Sequence, residues 1–399
     1  MEKKTISDDS IKLTGFLAGK LPKVLGVVGV LSIILAFYLG SKDLHHFYYS
    51  YLVAFVFYVT ISLGSMFFVL IQYLTRAGWS AVVRRIPETF MMNISVLVPF
   101  FIPIIVGMHD LFHWTHIEDY AHDPILAGKA PYLNVSFFIV RAILFFGTWI
   151  WLSRKFYIGS TTQDESKDEG ITLQLRKAST YGVIIFAVTQ TFAYVDWVMS
   201  LTPHWYSTIF GVYLFAGSIV ICLSLTSITL LILRKFGFLR DIVTVEHFHD
   251  LGKLLYGFNV FWAYIAFSQY FLIWYSNVPE ETIWYLEHFY GNWNTVAIVL
   301  AVGHFAIPFI LFMSRHVKRN LTLHLIVAIW IALMHIVDLY WLIMPNVSKS
   351  GIHVSLVDVL CIIGIGGIYF SSFFKRLASK SIVAKNDPLI QESLHFQNM

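Results

Sequence analysis

Cysteine is nearly absent: Cys222 and Cys361 are the only two in 399 residues, and both lie inside apolar runs. That excludes a disulfide framework, a CxxC pair and the CxxCH attachment of a covalent haem, and four thiolates for an iron–sulfur cluster are equally missing. Charge is scarce as well. Asp, Glu, Lys and Arg make up 13% of the chain against 57% hydrophobic residues, with a mean hydropathy of +0.68, too little polarity to coat a water-soluble protein. The net charge of +4 gathers on no single face or tail, so no nucleic-acid partner is expected. Ten-residue alternating segments are absent too, which excludes a spanning β-barrel.

What is present is a series of long apolar runs rich in aromatics, 17% of all residues. At about 1.5 Å per residue and roughly 30 Å of bilayer they predict an all-α polytopic membrane protein with ten spans. These lie near 22–40, 47–74, 89–110, 132–153, 178–201, 206–233, 254–276, 291–314, 321–345 and 352–374. The chain reads as a single membrane domain over 1–399, without a short cleavable signal peptide. The segment 159–170 and the tail 375–399 read as polar and mobile.

Of the 28 Lys and Arg, 24 fall in the tail 1–21 with Lys23 just beyond it, in the loops after spans 2, 4, 6 and 8, and in the tail 375–399. The positive-inside bias therefore predicts both termini on the cytoplasmic side, the lipid bilayer being the first partner. Nine of the sixteen histidines then face outward: His45, His46, His109, His113, His116, His122, His204, His288 and His353.

Spans 5 and 9 end alike, YVDWVMSLTP (194–203) and IVDLYWLIMP (336–345), each with proline seven residues after an aspartate. This predicts a parallel repeat of spans 2–5 on spans 6–9, with Asp196 and Asp338 at equivalent heights. Asp196 lies roughly 7–8 Å below the outer end of its span, where a carboxylate is costly and needs a partner. Arg141, nine residues into span 4, is the expected partner, either as a packing lock or as a tuner of a proton-active carboxylate. Asp338 has His335 one turn below on the same face and Trp341 one turn above; Asp358 reads as solvated at the outer interface. His304, at mid-span 8, is open to two readings, a haem ligand or a hydrogen-bonded core histidine; paired histidines for several haems are missing. VEHFHDLGK (245–253) reads as a solvated helix start or as the inner mouth of a proton path toward His304.

The stretch VGMHDLFHWTHIEDYAHD (106–123) packs four histidines and four acids at the outer end of span 3. If the helix continues, His109, His113 and His116 share one face at i, i+4 and i+7. Zinc ligation, a plain interfacial helix end, and a quinol- or proton-handling site all suit that spacing.

The segment FAYVDWVMSLTPHWYSTIFGVYLFAG (192–217), with inside termini and ten spans, resembles the NrfD/PsrC family of quinone-interacting membrane subunits. It is similar in particular to the two homologous membrane subunits of alternative complex III, and in length to the shorter, ActF-like one rather than the ActC-like one. The likeness covers about residues 20–375. It implies two four-helix bundles, 47–201 and 206–345, with spans 1 and 10 flanking them, in the bacterial cytoplasmic (inner) membrane. It also implies a part in quinol oxidation and proton translocation without a redox cofactor of its own. Menaquinol or ubiquinol would be the substrate, with haem c and iron–sulfur clusters in partner subunits. Those partners would be a homologous membrane subunit, an iron–sulfur subunit, c-type cytochromes and a terminal oxidase. The family's quinol pocket matches His109, Asp110, His113, Arg141 and Asp196 here; Asp196, Asp338, His335, His304 and Arg141 are the candidates for the proton path, and no metal ligand set is expected. A stand-alone proton-coupled transporter and a purely structural anchor are the alternatives.

Overall fold

The computed structural model describes residues 6–118, 122–349 and 351–398; Lys3, Lys4 and Asp119, which entered the counts above, lie outside them. Helices account for all the regular elements described, apart from one isolated bridge between Lys12 and Ser381. The long helices are α1 (Lys20–Gly40), α2 (Leu44–Leu74), α3 (Arg85–Leu97 with Pro99–Val106), α4 (Val135–Ser166) and α5 (Glu169–Trp197). They continue with α6 (Phe210–Lys235), α7 (Val245–Ser276), α8 (Trp293–Met313), α9 (Leu321–Ile343) and α10 (Leu356–Ser379).

Eight of these are long and apolar enough to cross a membrane, and nine if the two halves of α3, bent by 50°, form one span. The expected seventh span lies in α7, which has 32 residues but is diluted by Tyr, Trp, Asn259 and Gln269. Length alone would let it cross. The bend in α3 falls at Pro99, which withholds an amide from the ladder and clashes with the preceding turn.

Helices α2 and α6 form the centre. Helix α2 packs against α3, α5, α6, α9 and α10, while α6 packs against α5, α7 and α9; α3 meets α4, α4 meets α5, and α8 lies against α7 and α9. Helix α10 runs along α1. Glycine sets the closest approach at the centre: a Cβ on Gly64 of α2 would lie 1.8 Å from the Ser218 carbonyl oxygen of α6.

Two expectations of mobility fail. Residues 159–170 are not a loop, because α4 runs on to Ser166 and α5 starts at Glu169, capped by Asp168 and tied by Gln163 to Thr172 at 2.7 Å. The tail is packed down: Ile382, Val383 and Ala384 are buried, and the Ile382 amide donates to the Ile11 carbonyl at 2.8 Å. The segments around Lys12 and Ser381 thus meet at one face of the molecule, the terminal face. The histidine-rich stretch lies at the other, the histidine face.

Candidate functional site

Asp338 is fully enclosed because α9 turns it inward, one turn beyond His335, against α6 and α7. The Tyr213 hydroxyl of α6 donates to its Oδ1, and the Trp262 indole of α7 donates to Oδ2 at 3.2 Å. Neither donor carries charge, and among the described residues no Lys or Arg forms an ion pair with this carboxylate. The Nδ1 of His335 lies 3.9 Å from Oδ2.

The hydrogen-bond network fixes the tautomer of His335. Thr60 of α2 donates its hydroxyl hydrogen to the Phe57 carbonyl at 2.7 Å, so its oxygen accepts from His335 Nε2 at 3.0 Å. A neutral His335 therefore carries its hydrogen on Nε2 and turns a bare Nδ1 lone pair toward Asp338. Two acceptors facing each other in a closed site call for a proton between them. Gly217 of α6 leaves the room for that ring, since a Cβ there would lie 2.8 Å from His335 Cε1.

His304 belongs to the same neighbourhood, its ring 3.9 Å from that of Trp262. It sits in a π-helical stretch of α8, Leu300–Ala306, a distortion that recurs at functional sites. Neither His304 nitrogen has a hydrogen-bond partner among the described residues, nor have His335 Nδ1, both amide atoms of Asn259 and Nε2 of His324. All four side chains are buried. His324 starts the series near the terminal face, and the eleven residues from it to His335 rise about 16 Å along α9.

Asp196 is enclosed as fully but is matched by a cation. Arg141 donates Nε to Oδ2 at 2.6 Å and Nη2 to Oδ1 at 3.2 Å, the bidentate geometry of a strong pair. Tyr132 adds its hydroxyl at 2.9 Å, and the guanidinium lies 3.9 Å from the centre of the Tyr132 ring. The two aspartates share local architecture, since α5 and α9 each pass into a 3-10 turn, Met199–Leu201 and Met344–Asn346, near the proline. They differ in their neutralising partner.

The histidine stretch departs from the single helical face expected of it. The helix ends at Leu111, Phe112 is extended, and His113–Thr115 is a 3-10 turn. The turn nevertheless brings His109 and His116 together, ring centres 4.1 Å apart. His109, Asp110 and His113 line a groove of about 410 Å³ with His45, His116 and His204. Among the described residues no group of three or more His, Cys, Asp or Glu is placed to hold a metal ion. His204 pairs with Asp123, whose carboxyl is held below the usual range by the Leu126 amide, this imidazole and the Ile125 amide. Arg141 and Asp196 do not line the groove, so the five residues expected to share a quinol pocket divide between a polar groove and a buried ion pair.

The sequence reading missed a charge network at the terminal face. Arg84 pairs with Glu88 at 3.0 Å and with Asp387 of the tail at 2.5 Å; Arg85 pairs with Glu88 at 3.3 Å and with Asp164 at 2.7 Å. All five are buried. The signal was the spacing in RRIPE (84–88), which sets one acid three and four residues after two arginines. Glu246 and His247 open α7 beside it. Arg319 and Asn398 hold the Glu246 carboxyl down to about 2, and burial pushes His247 down to about 4. VEHFHDLGK is therefore covered by the tail, His247 meeting the Ser393 carbonyl at 3.1 Å. Asp358, read as solvated, is buried, and accepts from the Ser355 amide at 2.7 Å and contacts His46 at 3.0 Å.

Comparison with protein-family models and with curated proteins finds no match for this chain.

Proposed function

We propose that this protein is a membrane subunit of a quinol-oxidising respiratory complex, and that its own part is a transmembrane proton path through Asp338. The observation that carries the reading is the Asp338 site. Among the described residues, a carboxylate held by neutral donors faces a bare imidazole nitrogen, and buried polar atoms without hydrogen-bond partners run from it toward the terminal face. Such atoms hold ordered water, and water between titratable groups is what a proton needs to move. Asp196, bidentate with Arg141, is the poorer carrier, because releasing the arginine would leave a buried charge unmatched.

The helix contacts support two four-helix bundles, α2–α5 and α6–α9, flanked by α1 and α10, with α7 as the tenth span. The quinol half of the proposal rests on the YVDWVMSLTPHWYSTIFG segment (194–211) and on the groove at the histidine face. There His109 or His113 would accept a hydroxyl proton beside Asp110. Iron–sulfur and c-haem subunits would take the electrons, with the terminal face in the cytoplasm of a bacterium.

A proton-coupled transporter is the second reading, favoured by the bent α3 and the π-helical turn in α8. Under the parallel repeat α3 corresponds to α7 and α8 to α4, so the distortions are not paired as in inverted-repeat carriers.

Purification through a tag in mild detergent separates the two. Haem bands and an iron–sulfur polypeptide with this chain support the complex; a colourless, solitary protein with proton-driven uptake supports the transporter. Within the complex, Asp338→Asn is expected to reduce quinol-driven proton release at least tenfold while subunit composition is kept. Unchanged release in that variant would overturn the path.

A further inference from the structure

Beside the Asp338 site lies a cavity of about 450 Å³ walled by α7, α8, α9 and the short helix Pro279–His288, within the range of about 300–1,000 Å³ usual for ligand sites. The sequence builds it with small residues. Ala263 and Ala266 on α7 stand three apart, Ala297 and Ala301 on α8 four apart, and all four line the space. Its mouth is lateral, between α7 and α8, where Tyr264 and Phe267 are 63% and 62% exposed on the apolar flank of the molecule. Its inner wall is made by Tyr213 and Trp262, the two donors that hold Asp338.

A space with walls this apolar does not hold water, and leaving it void would forfeit the contacts of every lining side chain. The phase at its mouth is bilayer hydrocarbon. The polar groups sit at one end: the Gln269 amide donates to the Tyr285 hydroxyl at 3.1 Å and accepts from Ser207 at 3.0 Å. The other end, at Phe305 and Leu300, is apolar. Trp284, stacked between Trp205 at 4.7 Å and His288 at 3.6 Å, closes the cavity from the polar groove, whose wall it also forms.

We infer that the cavity is a binding site for one acyl chain of a membrane phospholipid, which enters between α7 and α8 with its glycerol end level with Gln269. The chain packs on the outer faces of Tyr213 and Trp262. It keeps their donors on Asp338. The inference needs only a membrane location and stands whether or not quinol is the substrate of the complex.

The test is native mass spectrometry of the detergent-purified protein, with whatever subunits accompany it, after delipidation and after addition of a phosphatidylethanolamine. The unsubstituted protein is expected to retain one phospholipid that resists delipidation, and Ala263→Phe and Ala301→Phe, which fill the cavity from opposite walls, to lose it. Either variant suffices if the other fails to fold. In vesicles with bromine on the acyl chains, tryptophan quenching is expected to fall in the filled variants. Equal retention and equal quenching in unsubstituted and filled proteins would overturn the site, as would recovery of a prenyl-tailed ring compound in place of the phospholipid.

Discussion

Removing the guanidinium of Arg141 leaves Asp196 as a buried, unmatched charge. Arg141→Ala is therefore expected to destabilise the fold by about 3–5 kcal/mol, and adding Asp196→Asn to recover much of it. A thermal-melt cycle over the single and double variants measures this, and additivity of the two losses would contradict a direct pair. Gly217→Ala works at the other aspartate. A methyl 2.8 Å from His335 Cε1 turns the ring away from Thr60, so proton release should fall with quinol binding unchanged, measured as turnover against quinol concentration. The Arg141 pair was legible in the sequence, because an intramembrane arginine needs an acid and Asp196 stands on the adjacent span. The donors to Asp338 were not. Tyr213 and Trp262 come from α6 and α7 and look like any other aromatic in a chain with 21 Tyr and 12 Trp.

Helix contacts follow rules that the apolar runs show only in part. Gly64 carries the tightest crossing, and Gly64→Ala must push α2 from α6. Overpacking of this kind costs about 1–3 kcal/mol, more where the opposing atom is a backbone oxygen that cannot turn aside, and a lowered melting temperature would register it. The runs located α1, α2, α4, α5, α6, α8, α9 and α10 because continuous hydrophobicity is the signal. The course of the histidine stretch was hidden, since spacing at i, i+4 and i+7 describes a face only while a helix lasts, and here it ends at Leu111. Residues 159–170 were misread for the converse reason. Their polarity marks a helical hairpin beyond the apolar belt, where residues 165–170 face water and Gln163 and Asp164 are buried on hydrogen-bond and ion-pair partners.

At the scale of the molecule the tail couples its terminal face to pH. His247 is neutral where it packs under Ser393, with its folded value near 4 against about 6.5 when unfolded. Its contribution is intact above about 6.5. As pH falls below that, the loosened form binds a proton that the packed form refuses, and stability is lost progressively down to about 4. Protease cleavage within 380–398 should therefore rise on acidification across that window and rise less in His247→Gln; a flat profile in the unsubstituted protein would contradict the coupling. No composition rule would have shown this tail to be packed, because its anchors are single residues, Ile382, Asp387 and Ser393, spread through a polar segment.

The pairing of Arg84 with Asp387 spans 303 positions of sequence, and that distance is also an interval in time. At about 5–20 residues per second, a ribosome needs on the order of fifteen seconds to a minute to make the acid after the arginine has emerged. Asp164, the second acid of Arg85, follows it by 79 positions, so the acid of the tail is the last member of the network to be made. A chain stalled before residue 387 leaves Arg84 without the acid that the tail supplies, and the terminal face without the contact that draws the tail onto it.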